Sequence, residues 1–191
     1  MSFVNNSCFF VNFKLNYFII QKSIDILSYF VYNYNKLTYN NNTYKKGEIK
    51  MWTYIHEKEC DIDLEKLWNY YSNVNLWKEW DEEVEKVELN GEFVSGTTGC
   101  MFMTGMDPMN FILTNVESKK LFIDETSIEP LKTKVIVGHF IEEKSNGRFI
   151  LRHSVIIDGE NADMLAQQIG ESFTVDIPKS MEKLIKLSSK G

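Results

Sequence analysis

The C-terminal part of the chain carries an amphipathic helical pattern directly after a run of alternating strands. From Ala162 onward, apolar residues recur every three or four positions, which is the spacing of one face of an α-helix. The segments before it alternate with period two, as half-buried strands do. A curved antiparallel sheet that packs against one long helix leaves a hollow, where we expect the functional site. The apolar stripe consists of Ala162, Leu165, Ala166, Ile169, Phe173, Ile177, Met181 and Leu184.

The order of the predicted elements indicates an α+β fold with an antiparallel sheet. A first strand at 52–60 is followed by a helix that Asp61 or Asp63 can cap, and by a short second helix at 74–80. Closely spaced strands without intervening helices then pair in antiparallel fashion. Pro178 lies inside the final stripe and predicts a kink that bends the helix over the sheet. The six later strands are predicted at 84–89, 97–103, 110–117, 120–127, 133–143 and 148–158.

Charge and cysteine usage narrow the class of protein. The net charge is −6 and no basic stripe is present, which argues against nucleic-acid binding. The three cysteines, Cys8, Cys60 and Cys100, are scattered and form no Cys-x-x-Cys pair, so we interpret them as reduced thiols in a cytoplasmic protein. The sequence contains neither short-range metal-ligand spacing nor a phosphate-binding glycine loop. We therefore expect no metal and no cofactor.

Residues 1–50 differ in composition from the rest of the chain. They are rich in Asn, Phe, Tyr, Ile and Lys and contain no Ala, Arg, Pro, His or Trp. Codons that can encode 46–51 include GGAG just upstream of ATG, which resembles a bacterial ribosome-binding site before a start codon at Met51. We predict a disordered or mis-annotated leader at 1–50 and a folded domain at 51–191. The alternatives are a membrane-associated segment and a genuine accessory helix. Polar residues at 21–25 interrupt the best apolar stretch, and we therefore expect no stable membrane insertion.

Short motifs spread over residues 51–188 form a recognisable set. They are Leu76-Trp77-Lys78-Glu79-Trp80-Asp81, Pro108-Met109-Asn110-Phe111, Phe122-Ile123-Asp124-Glu125, Leu151-Arg152-His153-Ser154-Val155 and Asp176-Ile177-Pro178. With the element order, this set resembles the SRPBCC superfamily, which is START-like and birch-pollen-allergen-like and includes polyketide cyclase/dehydrase-type families. The resemblance implies a helix-grip fold, with about seven curved strands around a long C-terminal helix and two short helices after strand 1. It also implies a ligand-binding domain at 51–191, but the superfamily spans lipid carriers, cyclases and hormone receptors.

Two histidines on predicted strands are the strongest candidates for ligand-binding or acid/base residues. His139 alternates in step with Val137, and His153 in step with Val155, so both point to the apolar face of the sheet. Whereas a three-residue turn would offset the two histidines diagonally, a five-residue turn at 144–148 would set them directly opposite each other. In that position they can orient the polar end of a ligand or act as acid or base near neutral pH. The alternative is a pair of structural imidazoles that are hydrogen-bonded at the wall of the hollow.

Aromatic and apolar side chains are predicted to line the same hollow. Small-molecule pockets are mostly apolar and aromatic, with a few polar groups that fix the orientation of the ligand. For each single residue, the alternative is an ordinary position in the hydrophobic core. The predicted apolar set is Trp77, Trp80, Phe102, Phe111, Ile169 and Phe173.

Three functional hypotheses follow from this sequence. The first is a domain that binds a small hydrophobic or amphipathic molecule between the sheet and the C-terminal helix. The second is a cyclase/dehydratase-type enzyme that uses His139 or His153 as acid or base. The third is an interaction module whose acidic surface meets a partner and which holds no ligand. An open cavity with both histidines inside favours the first two, and a hollow filled by side chains favours the third.

Overall fold

The computed structural model describes residues 51–105, 107–169 and 176–190. Every helix in this part of the chain falls short of the length and apolar character that crossing a bilayer requires. The helices are α1 (Leu64–Ser72), α2 (Trp77–Trp80), α3 (Ala162–Ile169) and α4 (Ile177–Leu187), with 3₁₀ turns at Val74–Leu76 and Glu129–Leu131. The strands are β1 (Met51–Cys60), β2 (Val84–Leu89), β3 (Thr98–Met103), β4 (Met109–Glu117), β5 (Leu121–Ile128), β6 (Thr133–Glu143) and β7 (Phe149–Gly159).

The seven strands form one antiparallel sheet in the order β1-β7-β6-β5-β4-β3-β2. The first strand lies beside the last, because β1 pairs along its whole length with β7. Register shifts between Val84 and Lys86 and between Leu113 and Asn115 interrupt the ladders, and such bulges bend a strand and increase its twist. The predicted helix-grip architecture, with short helices after β1 and a C-terminal helix packed on the sheet, is confirmed.

Helix α1 begins where the sequence predicted a cap. The side chain of Asp63 accepts hydrogen bonds from the backbone N–H groups of Glu65 and Lys66, which satisfies donors that the first helical turn leaves unpaired. The helix then buries Leu67 and Tyr71 completely. The cap therefore sets the start of α1 and places the Tyr71 side chain in the interior.

The C-terminal helical region contains two described helices, whereas the spacing predicted one. Helix α3 is described as far as Ile169, and α4 begins at Ile177 after a bend at Asp176. Pro178 lies in the first turn of α4, where its missing N–H removes no helical hydrogen bond. It therefore helps to begin a helix and does not kink the interior of one. Residues 170–175, which include Phe173, and the side chain of Ile169 lie outside the described residues.

Aromatic side chains fill one end of the hollow between the sheet and the helices. Trp77 stacks on Phe111 and Phe122, with ring centroids 6.3 and 5.5 Å apart. Gly99 makes this packing possible, because a Cβ atom there would lie 2.5 Å from Cζ of Phe111. A separate apolar cluster joins α3 to β6 and β7. The space between these two clusters forms a cavity.

Candidate functional site

A cavity of about 120 Å³ lies between the inner face of the sheet, α2 and the start of α4. Both clusters of the core contribute to its wall, which is mostly apolar. The main apolar residues of the wall are Trp80, Met101, Met103, Val137, Val155 and Ile177. Polar side chains from β5, β6, β7 and α4 are Asp124, Thr126, His139, His153 and Ser180. This composition is typical of a small-molecule pocket.

His139 and His153 face each other across β6 and β7. The register pairs the two residues directly, because the connection at 144–148 has five residues, the longer of the two turns considered. Their rings lie 4.5 Å apart between centroids in an edge-to-face arrangement. Both side chains are buried, with exposed fractions of 6% and 4%. The predicted pairing of the two histidines on the inner face is therefore confirmed.

Tyr71 from α1 holds His153 from the side opposite the sheet. Its Oη atom lies 2.8 Å from Nε2 of His153, in a fully buried hydrogen bond. Burial raises the pKa of Tyr71 well above its usual value, with a smaller contribution from Cys60. The phenol therefore stays protonated and can donate a hydrogen bond to Nε2. Tyr71 was not among the predicted site residues, because no local sequence pattern links residue 71 to residue 153.

The ring of His139 is held by stacking and has a free nitrogen. It lies parallel to Phe122, with 4.1 Å between the centroids and 9° between the planes. Its Nδ1 atom is buried and has no hydrogen-bond partner among the described residues. Burial lowers the pKa of His139 well below its usual value, and a positive charge on His153 would lower it further. His139 is therefore a neutral imidazole at physiological pH, with one unsatisfied buried nitrogen.

The third histidine of the protein extends this pair to the edge of the sheet. His56 on β1 pairs with His153, and His153 pairs with His139, so one transverse row across three strands contains all three histidines. His56 is only partly buried. Burial lowers its pKa, as does the nearby charge of Lys58, whereas Glu182 raises it. The alternation within β1 was the signal available for this placement, because His56 follows Trp52 and Tyr54 at steps of two.

Asp124 is a residue of the site that the sequence analysis did not single out. It lies on β5 two residues after Phe122 and lines the cavity with an exposed fraction of 4%. Its cross-strand neighbours are the apolar residues Leu113 and Val137. Burial raises the pKa of the Asp124 carboxyl group from 3.8 to about 7, although a hydrogen bond from its own backbone N–H opposes the shift. Because Asp124 follows Phe122 by two positions on a strand, the sequence could have indicated that Asp124 points to the inner face of the sheet.

Four of the predicted aromatic and imidazole residues line the cavity, and two predicted aromatic residues do not. Trp77, Trp80 and the two paired histidines belong to the wall. Phe111 is a core residue packed against Trp77. Phe102 lies under the ammonium group of Lys86, 5.3 Å from the ring centroid, while its neighbours Met101 and Met103 line the cavity. Because successive side chains of a strand point to opposite faces, Phe102 is on the outer face of β3.

The outer end of the cavity adjoins an open surface groove with mixed charges. The groove and the cavity share Trp80, Asp81, Glu83 and Ser180, so the groove marks the route of access. Glu82 at the groove is paired with Lys179 and Lys183 of α4. The acidic residues Asp81 and Glu83 therefore lie at the mouth of the cavity.

The described residues contain no cluster of three or more His, Cys, Asp or Glu side chains that could hold a metal ion. The side chains of the cavity wall are instead arranged as hydrogen-bonding groups on an apolar surface. The two remaining predicted site residues, Ile169 and Phe173, cannot be placed, since the side chain of the first and the whole of the second lie outside the described residues.

Comparison with known proteins identifies structural relatives but no sequence relatives. No protein-family model matches the chain, and no curated protein sequence matches it. Norcoclaurine synthase from Thalictrum flavum aligns with a TM-score of 0.55 and 14% identity over 75% of this chain and 97% of its own. A hypothetical protein from Helicobacter pylori aligns with a TM-score of 0.60 and 13% identity over 78% of this chain and 98% of its own.

A third solved structure has the same overall arrangement. It is a protein from Mesorhizobium loti, which aligns with a TM-score of 0.54 and 19% identity over 71% of this chain and 95% of its own. At these low identities, the likeness concerns the path of the backbone. The chain therefore has the helix-grip fold of birch-pollen-allergen-like proteins.

Proposed function

We propose that this protein binds a compact amphipathic small molecule in the cavity between the sheet and α4. The observation that carries the proposal is a mostly apolar cavity whose wall includes two buried histidines, one of which, His139, has an Nδ1 atom without a partner among the described residues. A buried polar atom without a partner costs about 1–3 kcal/mol. A ligand group that hydrogen-bonds to Nδ1 removes this cost and gains orientation.

The size of the cavity limits the ligand. Its volume of about 120 Å³ is close to that of an engineered apolar cavity of about 150 Å³ that binds benzene. A molecule with a single ring or a short branched chain therefore fits, whereas a long lipid chain does not fit without rearrangement. The aromatic core around Trp77 and Phe122 occupies the remainder of the hollow.

The two ends of the cavity suit an amphipathic molecule. Met101 and Met103 supply flexible apolar surface, which adapts to ligands of different outline. On the sheet side, the neutral imidazole of His139 has one donor nitrogen and one acceptor nitrogen, and its tautomer decides which is which. A hydroxyl, carbonyl or amine group on the ligand can use either form.

A cyclase/dehydratase-type enzyme is the second candidate. It is favoured by the presence of two groups suited to proton transfer in one cavity, namely His139 and Asp124, whose pKa is raised to about 7. General bases work best when their pKa lies near the operating pH. Turnover that survives both His139→Ala and Asp124→Ala would exclude these two groups as its acid and base. The third hypothesis, an interaction module without a ligand, is weakened by the open cavity beside the aromatic core.

The direct test of the proposal is native mass spectrometry of the purified protein, followed by extraction and identification of any retained molecule. In parallel, toluene and benzyl alcohol are titrated into ¹⁵N-labelled protein. We expect shifts of amide signals on β5, β6 and β7 around the cavity, and weaker benzyl alcohol binding after His139→Phe. His56→Phe is the matched control, because His56 lies in the same row but outside the cavity wall. The absence of any retained molecule together with no shift for either probe would refute the proposal.

A further inference from the structure

We infer that the cavity is selective for a protonated amine attached to a compact apolar body, with the Asp124 carboxylate binding the ammonium group. This inference rests on the proposed function, because it assigns a chemical class to the ligand of the same cavity. It goes further by naming Asp124 as the group that determines specificity.

The position of Asp124 provides the first argument. Its side chain is 96% buried and belongs to the cavity wall, flanked on its own strand face by Phe122 and Thr126. Both cross-strand neighbours, Leu113 and Val137, are apolar. Within the described parts of the chain, the donor to the carboxyl group is the backbone N–H of Asp124 itself. The ionised carboxylate therefore has no cationic partner among the described residues.

The other ionisable groups of the cavity wall strengthen the preference for a cation. They are His139 on β6, His153 on β7, and Asp81 and Glu83 at the mouth. Among the described residues that line the cavity there is no lysine or arginine. The neighbouring helix α4 contributes Ile177 and Ser180 to the wall, neither of which is charged. The wall can therefore bear net negative charge and contains no fixed positive charge to neutralise it.

A bound ammonium group would satisfy Asp124 at little cost to the rest of the site. A buried charge is costly unless it is paired, and a buried carboxylate pairs well with a charge-assisted N–H donor. An anionic ligand would instead place like charges together in a medium of low dielectric constant. A neutral ligand of the same shape would gain the apolar contacts but not the ion pair.

The protonation of Asp124 gives the inference a pH signature. Burial raises the pKa of Asp124 to about 7, so in the free protein below this pH the carboxyl group holds a proton that must leave when an ammonium ion binds. Affinity for an amine then rises by up to tenfold per pH unit as the pH approaches 7 from below, and levels off above it. A neutral ligand requires no proton release and shows no such rise.

The experiment compares benzylamine, which is protonated between pH 6 and 8, with its neutral analogue benzyl alcohol. Dissociation constants for the full chain are measured by NMR titration at pH 6 and pH 8. We expect benzylamine to bind about fivefold to tenfold more tightly at pH 8, and benzyl alcohol to bind equally at both. In Asp124→Asn, benzylamine should lose tenfold or more at pH 8 while benzyl alcohol binding persists, which also shows that the variant is folded.

Glu125→Gln is the matched control. This neighbouring acid points to the other face of β5 and is paired with Lys134, so its removal should leave both probes unaffected. Equal binding of both probes by the wild type, independent of pH, would overturn the inference and leave the proposed function standing. Retention of the amine preference in Asp124→Asn would overturn it as well. If neither probe nor toluene binds, the proposed function fails, and this inference fails with it.

Discussion

Replacement of Asp124 by asparagine in the ligand-free protein tests how strongly burial raises the pKa of this carboxyl group. A carboxyl group whose pKa rises from 3.8 to about 7 on folding carries a free-energy cost of about 4 kcal/mol when it is ionised. The folded protein keeps this proton up to about pH 7, whereas the unfolded chain releases it near 3.8. The wild type therefore loses stability as the pH rises from about 4 to about 7, and the loss is complete above 7.

Asparagine has nearly the same shape and no proton to lose, so the variant escapes this loss. Between pH 5 and pH 7, each pH unit lowers the free energy of unfolding of the wild type by about 1.4 kcal/mol through this one group. Relative to the wild type, the free energy of unfolding of Asp124→Asn should therefore grow by about 3 kcal/mol between pH 5 and pH 8. Any cost of burying the amide is constant over this range and cancels in the comparison between pH values.

Urea unfolding at pH 5, 6, 7 and 8 measures this difference directly. Glu125→Gln provides the control, because it removes the adjacent acid from an outer position where the ion pair with Lys134 is partly exposed; such pairs contribute less than about 1 kcal/mol. A difference between Asp124→Asn and the wild type that stays constant from pH 5 to pH 8 would show that the Asp124 carboxyl group is solvated. A cationic ligand would then gain no advantage from a desolvated carboxylate in the cavity.

Three further predictions concern the domain, the helix and the histidine pair. A chain truncated to begin at Met51 should unfold at the same Tm as the full chain, because residues 1–50 lack the composition of the folded domain; a clear drop in Tm would contradict this. Leu184→Ala, at a fully buried position of α4, should lower the free energy of unfolding by about 2–5 kcal/mol, whereas the exposed Lys186→Ala should change it by less than about 0.5 kcal/mol. In an NMR titration, the His139 ring should stay neutral as the pH falls below about 6.5, since burial lowers its pKa; a midpoint near 6.5 would indicate a solvated ring.

Much of the fold could be predicted because the sequence patterns that indicate strands, turns and helix caps involve residues close together in the chain. The alternation along β6 and β7 suffices to place His139 and His153 on the same face, and the five-residue turn of the structure then sets them directly opposite each other. The carboxylate of Asp63 three residues before the N–H group of Lys66 is likewise a local cap signal. In the C-terminal region the apolar stripe keeps its spacing on both sides of Asp176, so the stripe alone does not show where α4 begins; the local signal for that start is Pro178 in its first turn.

Only the tertiary structure decided which side chains of β3 face the cavity and what chemistry the cavity has. Four consecutive residues, Cys100 to Met103, are all apolar, so alternation offers no contrast between Phe102 and its neighbours. The bond from Tyr71 to His153 joins residues 82 positions apart. The raised pKa of Asp124 depends on apolar neighbours from two other strands. Periodicity along the chain predicts which face a residue occupies, but desolvation and pairing depend on what the folded chain brings to that face from elsewhere.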